Sequence, residues 1–337
     1  MDYLGELKMN KEINIYSGIT LTALALLVLM PILLPSITLA TEIVIFAFAA
    51  LACNLLLGYT GLLSLGQGIF FGGGAYTASL VMIHLNFGMI SALLTAMFIG
   101  GVLALLVGAL AIRRTGIYFV MLTLAFTQMA YFLAYTFSNW TGGDNGLFDI
   151  PRPELSLFGI TISKLESSES FYVFVAFLFI AIFIFSRRVI HSPFGTTLVA
   201  IRENESRASA VGFSTSHFKL IAFVISGVIT GLAGALYAML LNFAPLSNIE
   251  LAMSENILIM TIIGGTSSLL GSILGSGAIV LIGDILSPLW PRWMMILGAA
   301  LIGVVLFMPG GIWGGITIIL SKLTRNKKSN SGSEIIK

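Results

Sequence analysis

Long apolar runs with almost no charge are the feature that most constrains the fold of this chain. Runs of roughly 20 apolar residues recur along the sequence, beginning at residues 19–34. An α-helix needs about 20 such residues to cross the hydrocarbon core of a bilayer. A soluble fold could not cover a chain that is 57% hydrophobic and 9% charged. The sequence therefore predicts an all-α fold, a polytopic membrane helical bundle.

The apolar runs predict about ten spans, and glycine makes two regions ambiguous. Segment 62–83 is rich in glycine and is predicted to be broken or re-entrant. Stretch 254–287 is interrupted by five glycines and fits either two spans or one span plus a re-entrant piece. The predicted spans are residues 17–35, 39–57, 62–83, 88–111, 116–137, 170–186, 219–241, 254–270, 272–287 and 292–309.

The distribution of lysine and arginine predicts the orientation of the bundle, because loops on the cytoplasmic side are enriched in these residues. With ten spans and an inside N-terminus, all but three of the 17 basic residues lie inside, the three being Arg152, Lys164 and Arg292. Both termini are therefore predicted to be cytoplasmic. The first apolar run also fits a secretory signal peptide, but it is long for one and another run follows at once, which favours an uncleaved helix.

This orientation divides the chain into three parts. Residues 1–16 form a cytoplasmic N-terminal segment, residues 17–315 the transmembrane domain, and residues 316–337 a polar, basic cytoplasmic tail. Two loops are long: an outer loop at 138–169 and a cytoplasmic loop at 187–218.

The sequence lacks the common motifs of soluble and membrane enzymes. There is no G-x-x-x-x-G-K-[ST] loop for ATP, no G-x-S-x-G elbow, and no zinc-ligand spacing of Cys and His. The glycines around Gln67 resemble the start of a dinucleotide fingerprint, but Phe71 stands where the third glycine belongs. We therefore predict no catalytic residue, metal site or cofactor, and a net charge of +2 gives no indication of a nucleic-acid partner.

Polar groups within the predicted spans are candidates for a translocation pathway. Glycine-rich, irregular backbone inside a membrane is tolerated beside a cavity or within protein, and neighbouring Ser or Gln side chains could then bind a polar solute. Close helix packing through Gly68 and Gly72, which have G-x-x-x-G spacing, is the alternative. The candidate pathway residues are Ser64, Gly66, Gln67, Gly68, Thr123 and Gln128.

Acidic groups within the spans are few, and this bears on the energy source. Glu42 and Asp284 both lie near predicted outer ends, where they can be solvated. An ion-driven carrier would need one of them as a buried relay, so their placement favours energy supplied by another subunit.

The cytoplasmic loop contains a short charged helix between Pro193 and Gly212, from Thr196 through Ala210. Such a helix is either an ordinary solvated loop or a docking helix for a partner protein. Its charged segment is Arg202-Glu203-Asn204-Glu205-Ser206-Arg207, and these residues alone do not decide between the two.

Several short motifs stand out when these segments are read in chain order. They are Gly58-Tyr59-Thr60-Gly61 with Ser64-Leu65-Gly66-Gln67, Gly116-Ile117-Tyr118-Phe119 with Thr123-Leu124-Ala125-Phe126, Thr141-Gly142-Gly143-Asp144-Asn145-Gly146, Ser192-Pro193-Phe194-Gly195 through Ala200-Ile201-Arg202-Glu203-Asn204-Glu205, Lys219-Leu220 with Ala222-Phe223, and Pro309-Gly310-Gly311-Ile312.

Together these motifs resemble the M-type permease subunit of bacterial branched-chain amino acid ABC importers, over roughly residues 40–315. The resemblance implies a transport subunit in the bacterial inner cell membrane, with 17–315 as its permease domain. It also implies four kinds of partner: a second homologous permease, two ATP-binding subunits, an external solute-binding protein that delivers leucine, isoleucine or valine, and membrane lipid. The resemblance further implies that the charged helix of the cytoplasmic loop docks on the ATPase. Its candidate contact residues are Arg202, Glu203, Asn204, Glu205, Arg207 and Gly212.

Other functions remain open at this point. Similar permeases serve urea and short amides, although the short connection at 82–89 favours amino acids. Gln67 stands where many members of the family have histidine, so a titrating side chain is not implied there. An ion-coupled carrier would depend on Glu42 or Asp284, and a membrane enzyme would need clustered polar residues that the sequence does not show.

Overall fold

The computed structural model describes residues 20–317 apart from 152, 153, 158, 159, 165, 166, 267 and 309. The predicted N-terminal segment 1–16, residues 318–337 of the predicted tail, and Arg152 lie outside the described residues.

The described chain is helical apart from one short hairpin. The helices are α1 (Thr20–Leu33), α2 (Ile37–Asn54), α3 (Gln67–His84), α4 (Met89–Ala111), α5 (Ile117–Thr136), α6 (Ser138–Thr141), α7 (Ser168–Ile190), α8 (Pro193–Glu203), α9 (Glu205–Ala210), α10 (Thr215–Leu241), α11 (Leu251–Gly264), α12 (Leu270–Leu286) and α13 (Trp293–Phe307), with a further helical stretch at 311–317. A π-helix (Leu55–Thr60) prolongs α2, and single 3-10 turns occur at Gly143–Asn145 and Leu246–Asn248.

The hairpin lies in the predicted outer loop and is an addition to the all-α prediction. Its strands, β1 (Glu154–Leu157) and β2 (Ile160–Lys164), pair antiparallel, with Leu157 opposite Ile160 and an irregularity between Leu155 and Ser156.

Within the described part of the chain, five helices are long and apolar enough to cross a membrane: Ile37–Thr60, Met89–Ala111, Ile117–Thr136, Ser168–Ile190 and Thr215–Leu241. Helices α1, α11 and α12 are apolar but shorter, as is Met294–Val304 within α13, and α3 carries Gln67 and several glycines. The prediction of a polytopic helical membrane protein is confirmed. Each of the ten predicted spans overlaps one of these helices, but the span number and the cytoplasmic termini stay predictions.

Helix α2 is the centre of the bundle. All its side chains from 43 to 54 are buried, and it packs against α7, α10, α11 and α12. A helix that is apolar on every face has to be surrounded by other helices or lipid. The small residues Ala47, Ala49, Ala50 and Ala52 let those neighbours approach closely.

Glycine brings α3, α4 and α10 into backbone contact. A Cβ atom on Gly74 of α3 would overlap the backbone of Gly231 in α10. A Cβ on Gly100 of α4 would lie 2.6 Å from the carbonyl oxygen of Gly227. These positions therefore serve helix packing, the role of small residues at membrane helix interfaces.

Both ambiguous glycine-rich regions contain a break. Predicted span 62–83 is helical only from Gln67, because Gly61 has a left-handed φ of +73° and the chain is not helical again until α3 begins. Stretch 254–287 forms two helices, α11 and α12, separated at Gly265, whose φ is +109°.

Candidate functional site

The break between α2 and α3 is buried in the bundle, and side chains satisfy its backbone. The amide of Leu65 donates to Thr123 Oγ1 at 3.2 Å, and its carbonyl accepts from Thr127 Oγ1 at 2.7 Å. The amide of Gly66 donates to Ser64 Oγ at 3.1 Å. Irregular backbone within a bilayer requires such partners, since lipid supplies none.

Gln67 opens α3 and is fully buried. Its Nε2 donates to Ser226 Oγ at 3.1 Å, and its Oε1 accepts from Thr230 Oγ1 at 2.7 Å. Ser226 in turn donates to the carbonyl oxygen of Ala52 at 2.9 Å. In this conformation Gln67 therefore joins α3 to α10 and, through Ser226, to α2.

Gly68 fixes the start of α3 against α11. Its amide donates to Ser254 Oγ at 2.7 Å, and a Cβ at this position would lie 2.9 Å from that hydroxyl and from the carbonyl oxygen of Glu250. Close packing, one of the two roles open from the sequence, is the one this conformation displays for Gly68.

The structure brings together five of the six candidate pathway residues and separates the sixth. Ser64, Gly66, Gln67, Gly68 and Thr123 are all buried around the break. Gln128 instead lies on the exposed side of α5, and its side-chain amide forms no hydrogen bond with any described residue.

The exposed side of α5 is a stripe of apolar residues interrupted by this one amide. Tyr118, Met121 and Phe132 are 70%, 62% and 65% exposed, and Ala125 and Gln128 complete the same helical face. An amide left without a partner in hydrocarbon costs several kcal/mol. The stripe is therefore better suited to face protein or water than lipid.

The charged segment of the cytoplasmic loop forms two short helices instead of one. Ser192 caps α8, with its Oγ accepting from the Gly195 amide at 3.4 Å, and Pro193 occupies the first turn. Asn204 ends α8 and caps α9 by accepting from the Arg207 amide at 2.9 Å.

Two polar contacts attach these helices to the membrane domain. Arg202 of α8 donates to the carbonyl oxygen of Gly58 in the π-helix. Glu205 of α9 forms an ion pair with Lys219 of α10 at 2.5 Å, and Lys219 is only 4% exposed. Gly58 and Lys219 belong to the motifs quoted above. Their roles could not be predicted from the sequence, because their partners lie in distant segments of the chain.

The remaining loop residues form an open surface. Glu203, Arg207 and Gly212 are exposed, and Gly212 has a φ of +99° with nothing within 4 Å of a Cβ built there. The neighbouring Val211 is 78% exposed. Charged and apolar groups on one exposed loop are suited to contact another protein.

Glu42 and Asp284, distant in sequence, line one cavity near the predicted outer side. It has a volume of about 320 Å³, lies between α2, α11 and α12, and is also lined by Asn256 and Ser287. Among the described residues, no group of three or more His, Cys, Asp or Glu is placed to hold a metal ion.

Comparison with known proteins identifies the family. Residues 36–307 match the family model described as the permease component of the branched-chain amino acid transport system. The chain belongs to this family of ABC permeases. No solved structure matches it.

Curated relatives of this permease agree with the family match. The chain is 29% identical over 297 residues to the high-affinity branched-chain amino acid transport system permease protein LivM of Salmonella typhimurium, covering 82% of this chain and 69% of that protein. It is 28% identical to LivM of Escherichia coli over the same shares. A shorter match, 30% over 124 residues and 34% of each chain, is to the autoinducer 2 import system permease protein LsrC of Yersinia enterocolitica.

The predicted outer loop makes a contact that the sequence did not reveal. Leu147 and Ala244 exchange two backbone hydrogen bonds of 3.0 Å each, and the rings of Phe148 and Phe243 stack with centroids 4.5 Å apart. The outer loop is thereby joined to the connection between α10 and α11.

Proposed function

We propose that this chain forms half of the translocation pathway of an ATP-driven importer for branched-chain amino acids. The observation that carries the proposal is Gln128, an unpartnered amide on the exposed stripe of α5. A second homologous permease packed near this stripe would remove it from lipid and leave an aqueous path between the two subunits. The family match supports this arrangement.

The driving energy comes from separate ATPase subunits. This chain has no phosphate-binding loop of the G-x-x-x-x-G-K-[ST] type, and it offers an exposed loop at α8 and α9 on the predicted cytoplasmic side. Arg202 connects that loop to Gly58, only a few residues before the buried break at 61–66. Movement of a docked ATPase would therefore act directly on the segment that contains Ser64 and Gln67.

Leucine, isoleucine and valine are the proposed substrates. An external binding protein delivers them to the outer side, the side on which Leu147 and Ala244 join the outer loop to the α10–α11 connection. The complex resides in the bacterial inner cell membrane. The names of the two LivM relatives support this substrate class over urea and short amides.

An ion-coupled carrier is the second candidate, and the cavity shared by Glu42 and Asp284 is the observation in its favour. The two candidates differ in one measurable respect. The carrier would move amino acid without ATP and lose that transport when either acid is neutralised, whereas the importer requires ATP and tolerates Glu42→Gln.

Thiol labelling tests the pathway. Cys53 is buried and is the sole cysteine, so Gln128→Cys introduces one accessible thiol. Phe98→Cys is the matched control: Phe98 is 69% exposed and lies nine residues from the predicted outer end of α4, while Gln128 lies eight residues from that of α5. In the assembled complex a membrane-impermeant thiol reagent should label Gln128→Cys at a rate that changes with ATP. Equal labelling of the two variants would contradict the proposal.

A further inference from the structure

Helices α1 and α7 leave an apolar groove between them. It encloses a cavity of about 540 Å³ lined by residues of both helices, among them Val28, Val173 and Phe177. Those three side chains are 57%, 65% and 71% exposed, so the groove opens toward the surroundings of the bundle. Tyr172 donates its hydroxyl hydrogen to the carbonyl oxygen of Leu27 and thereby joins the two helices beneath the groove.

The same two helices enclose a second cavity at their other end. It measures about 220 Å³ and is lined by Thr20, Ile184, Arg187, Arg188 and His191. Ile180, the last α7 residue of the first cavity, and His191 are separated by about 16 Å along a helix. One leaflet of the hydrocarbon core is about 15 Å thick, which is the depth that one acyl chain spans. The distance from Ile180 to His191 is close to this depth.

The charge of the groove differs between its ends. Of the residues that the structure describes, three basic side chains and no acidic one line the 220 Å³ cavity, at the end that the positive-inside rule places in the cytoplasm. The Arg188 guanidinium is exposed and makes neither an ion pair nor a hydrogen bond with any residue that the structure describes. At the opposite end the first cavity is lined by Glu169. An anionic group is therefore favoured at one end and disfavoured at the other.

We propose that this groove is a binding site for an anionic phospholipid of the cytoplasmic leaflet. The lipid phosphate lies at Arg188, with Arg187 and His191 beside it, and an acyl chain follows the groove toward Phe177. Basic pockets between membrane helices on the cytoplasmic side bind anionic headgroups, and each basic residue near the surface contributes about 1 kcal/mol, or about fivefold in affinity. The site lies on α1 and α7, away from the exposed stripe of α5, and does not depend on the proposed transport function.

Lipid binding to the full-length chain tests this proposal. The purified chain is titrated with dioleoyl phosphatidylglycerol or dioleoyl phosphatidylcholine, and bound lipid is counted by native mass spectrometry. The chain should bind phosphatidylglycerol more tightly than phosphatidylcholine, and Arg188→Gln should lower its affinity for phosphatidylglycerol about fivefold. Arg114→Gln is the matched control, because Arg114 is exposed at the predicted cytoplasmic end of α4 and lines neither cavity. This control should bind as the wild type does.

A second variant separates loss of the site from loss of folding. Ile184 is 38% exposed and lines the cavity, so Ile184→Trp should fill it and displace phosphatidylglycerol while the chain remains monodisperse. Three results would each overturn the proposal: equal binding by Arg188→Gln and Arg114→Gln, equal binding of the two lipids, or full displacement of the lipid by millimolar inorganic phosphate. Equal binding by Arg188→Gln and Arg114→Gln would indicate that another segment of the chain or a partner protein occupies the groove.

Discussion

The side-chain amide of Gln67 donates to the hydroxyl of Ser226 at 3.1 Å in the buried interior of the bundle. The same side chain accepts from Thr230, so one residue at the start of α3 satisfies two hydroxyls of α10. In a bilayer no water replaces these partners.

Gln67→Leu should lower the free energy of unfolding by about 1–3 kcal/mol, because it leaves buried hydroxyl groups without their partner. Unfolding in mixed detergent and SDS micelles, followed by circular dichroism, measures the change. Thr77→Val is the control, since Thr77 bonds only to the Gly73 carbonyl of its own helix. A Gln67→Leu chain as stable as the control would show that the contact to α10 contributes little.

Gly234→Ala should destabilise the bundle severely. A Cβ at Gly234 would overlap the carbonyl of Phe71, and backbone cannot move aside as a flexible side chain can. The added methyl group should push α3 and α10 apart and lower the free energy of unfolding by about 1–3 kcal/mol or more, since overpacking usually costs this much. Thermal unfolding in detergent checks the loss.

Gly298→Ala provides the comparison for that substitution. Gly298 is inside α13, and apart from that helix's own backbone and its chain neighbours, no described atom lies within 4 Å of a Cβ built there. Gly298→Ala should leave the free energy of unfolding unchanged or raise it by up to about 1 kcal/mol, because alanine has a higher helix propensity than glycine. An equal loss of stability in Gly234→Ala and Gly298→Ala would mean that overlap with the Phe71 carbonyl does not cause the destabilisation of Gly234→Ala.

Arg202→Gln should uncouple ATP hydrolysis from transport. The guanidinium bond to the Gly58 carbonyl joins α8 to the π-helix, and hydrogen bonds to charged groups contribute about 1.5–3 kcal/mol. We expect ATP-driven uptake to fall about tenfold or more while the complex still assembles and hydrolyses ATP. Uptake and hydrolysis are measured together in proteoliposomes.

Arg113→Gln is the matched control for Arg202. Arg113 is exposed and donates to the Ala109 carbonyl of its own helix, so its removal should leave uptake unchanged. If Arg202→Gln transports as well as Arg113→Gln, the contact with Gly58 does not transmit the motion.

Glu205→Gln should loosen α9. The substitution removes the partner of Lys219, a charge that is only 4% exposed, and leaves that charge uncompensated. Amide hydrogen exchange across residues 205–210 should accelerate about tenfold. Adding Lys219→Met should restore part of the protection, and no difference between the single and double variants would argue against the ion pair as the cause.

Local sequence patterns predicted the helices well. The apolar runs have the length of membrane spans, and Pro193 indicated a helix start close to Thr196, where the predicted stretch began, although α8 itself begins at Pro193. The alanine-rich run of α2 is apolar on every face, but α4 is at least as apolar and is mostly not buried, so apolarity alone does not mark the central helix.

Contacts between distant segments could not be predicted in the same way. Ser226 and Thr230 carry no local sign that they bind Gln67, and nothing in the sequence pairs Leu147 with Ala244. Its polarity made Gln128 a candidate pathway residue, yet whether it faces Gln67 or the opposite side of α5 depends on how that helix packs. Helix rotation about its own axis is set by tertiary contacts that a single sequence does not encode locally.

Co-purification from membranes followed by transport is the most direct test of the central claim. The chain is expressed with its neighbouring genes, isolated through a C-terminal tag, and reconstituted in vesicles with radiolabelled leucine. The account predicts that a second permease and ATPase subunits co-purify, and that leucine uptake requires both ATP and the external binding protein. A chain that purifies alone and moves leucine without ATP would contradict the account.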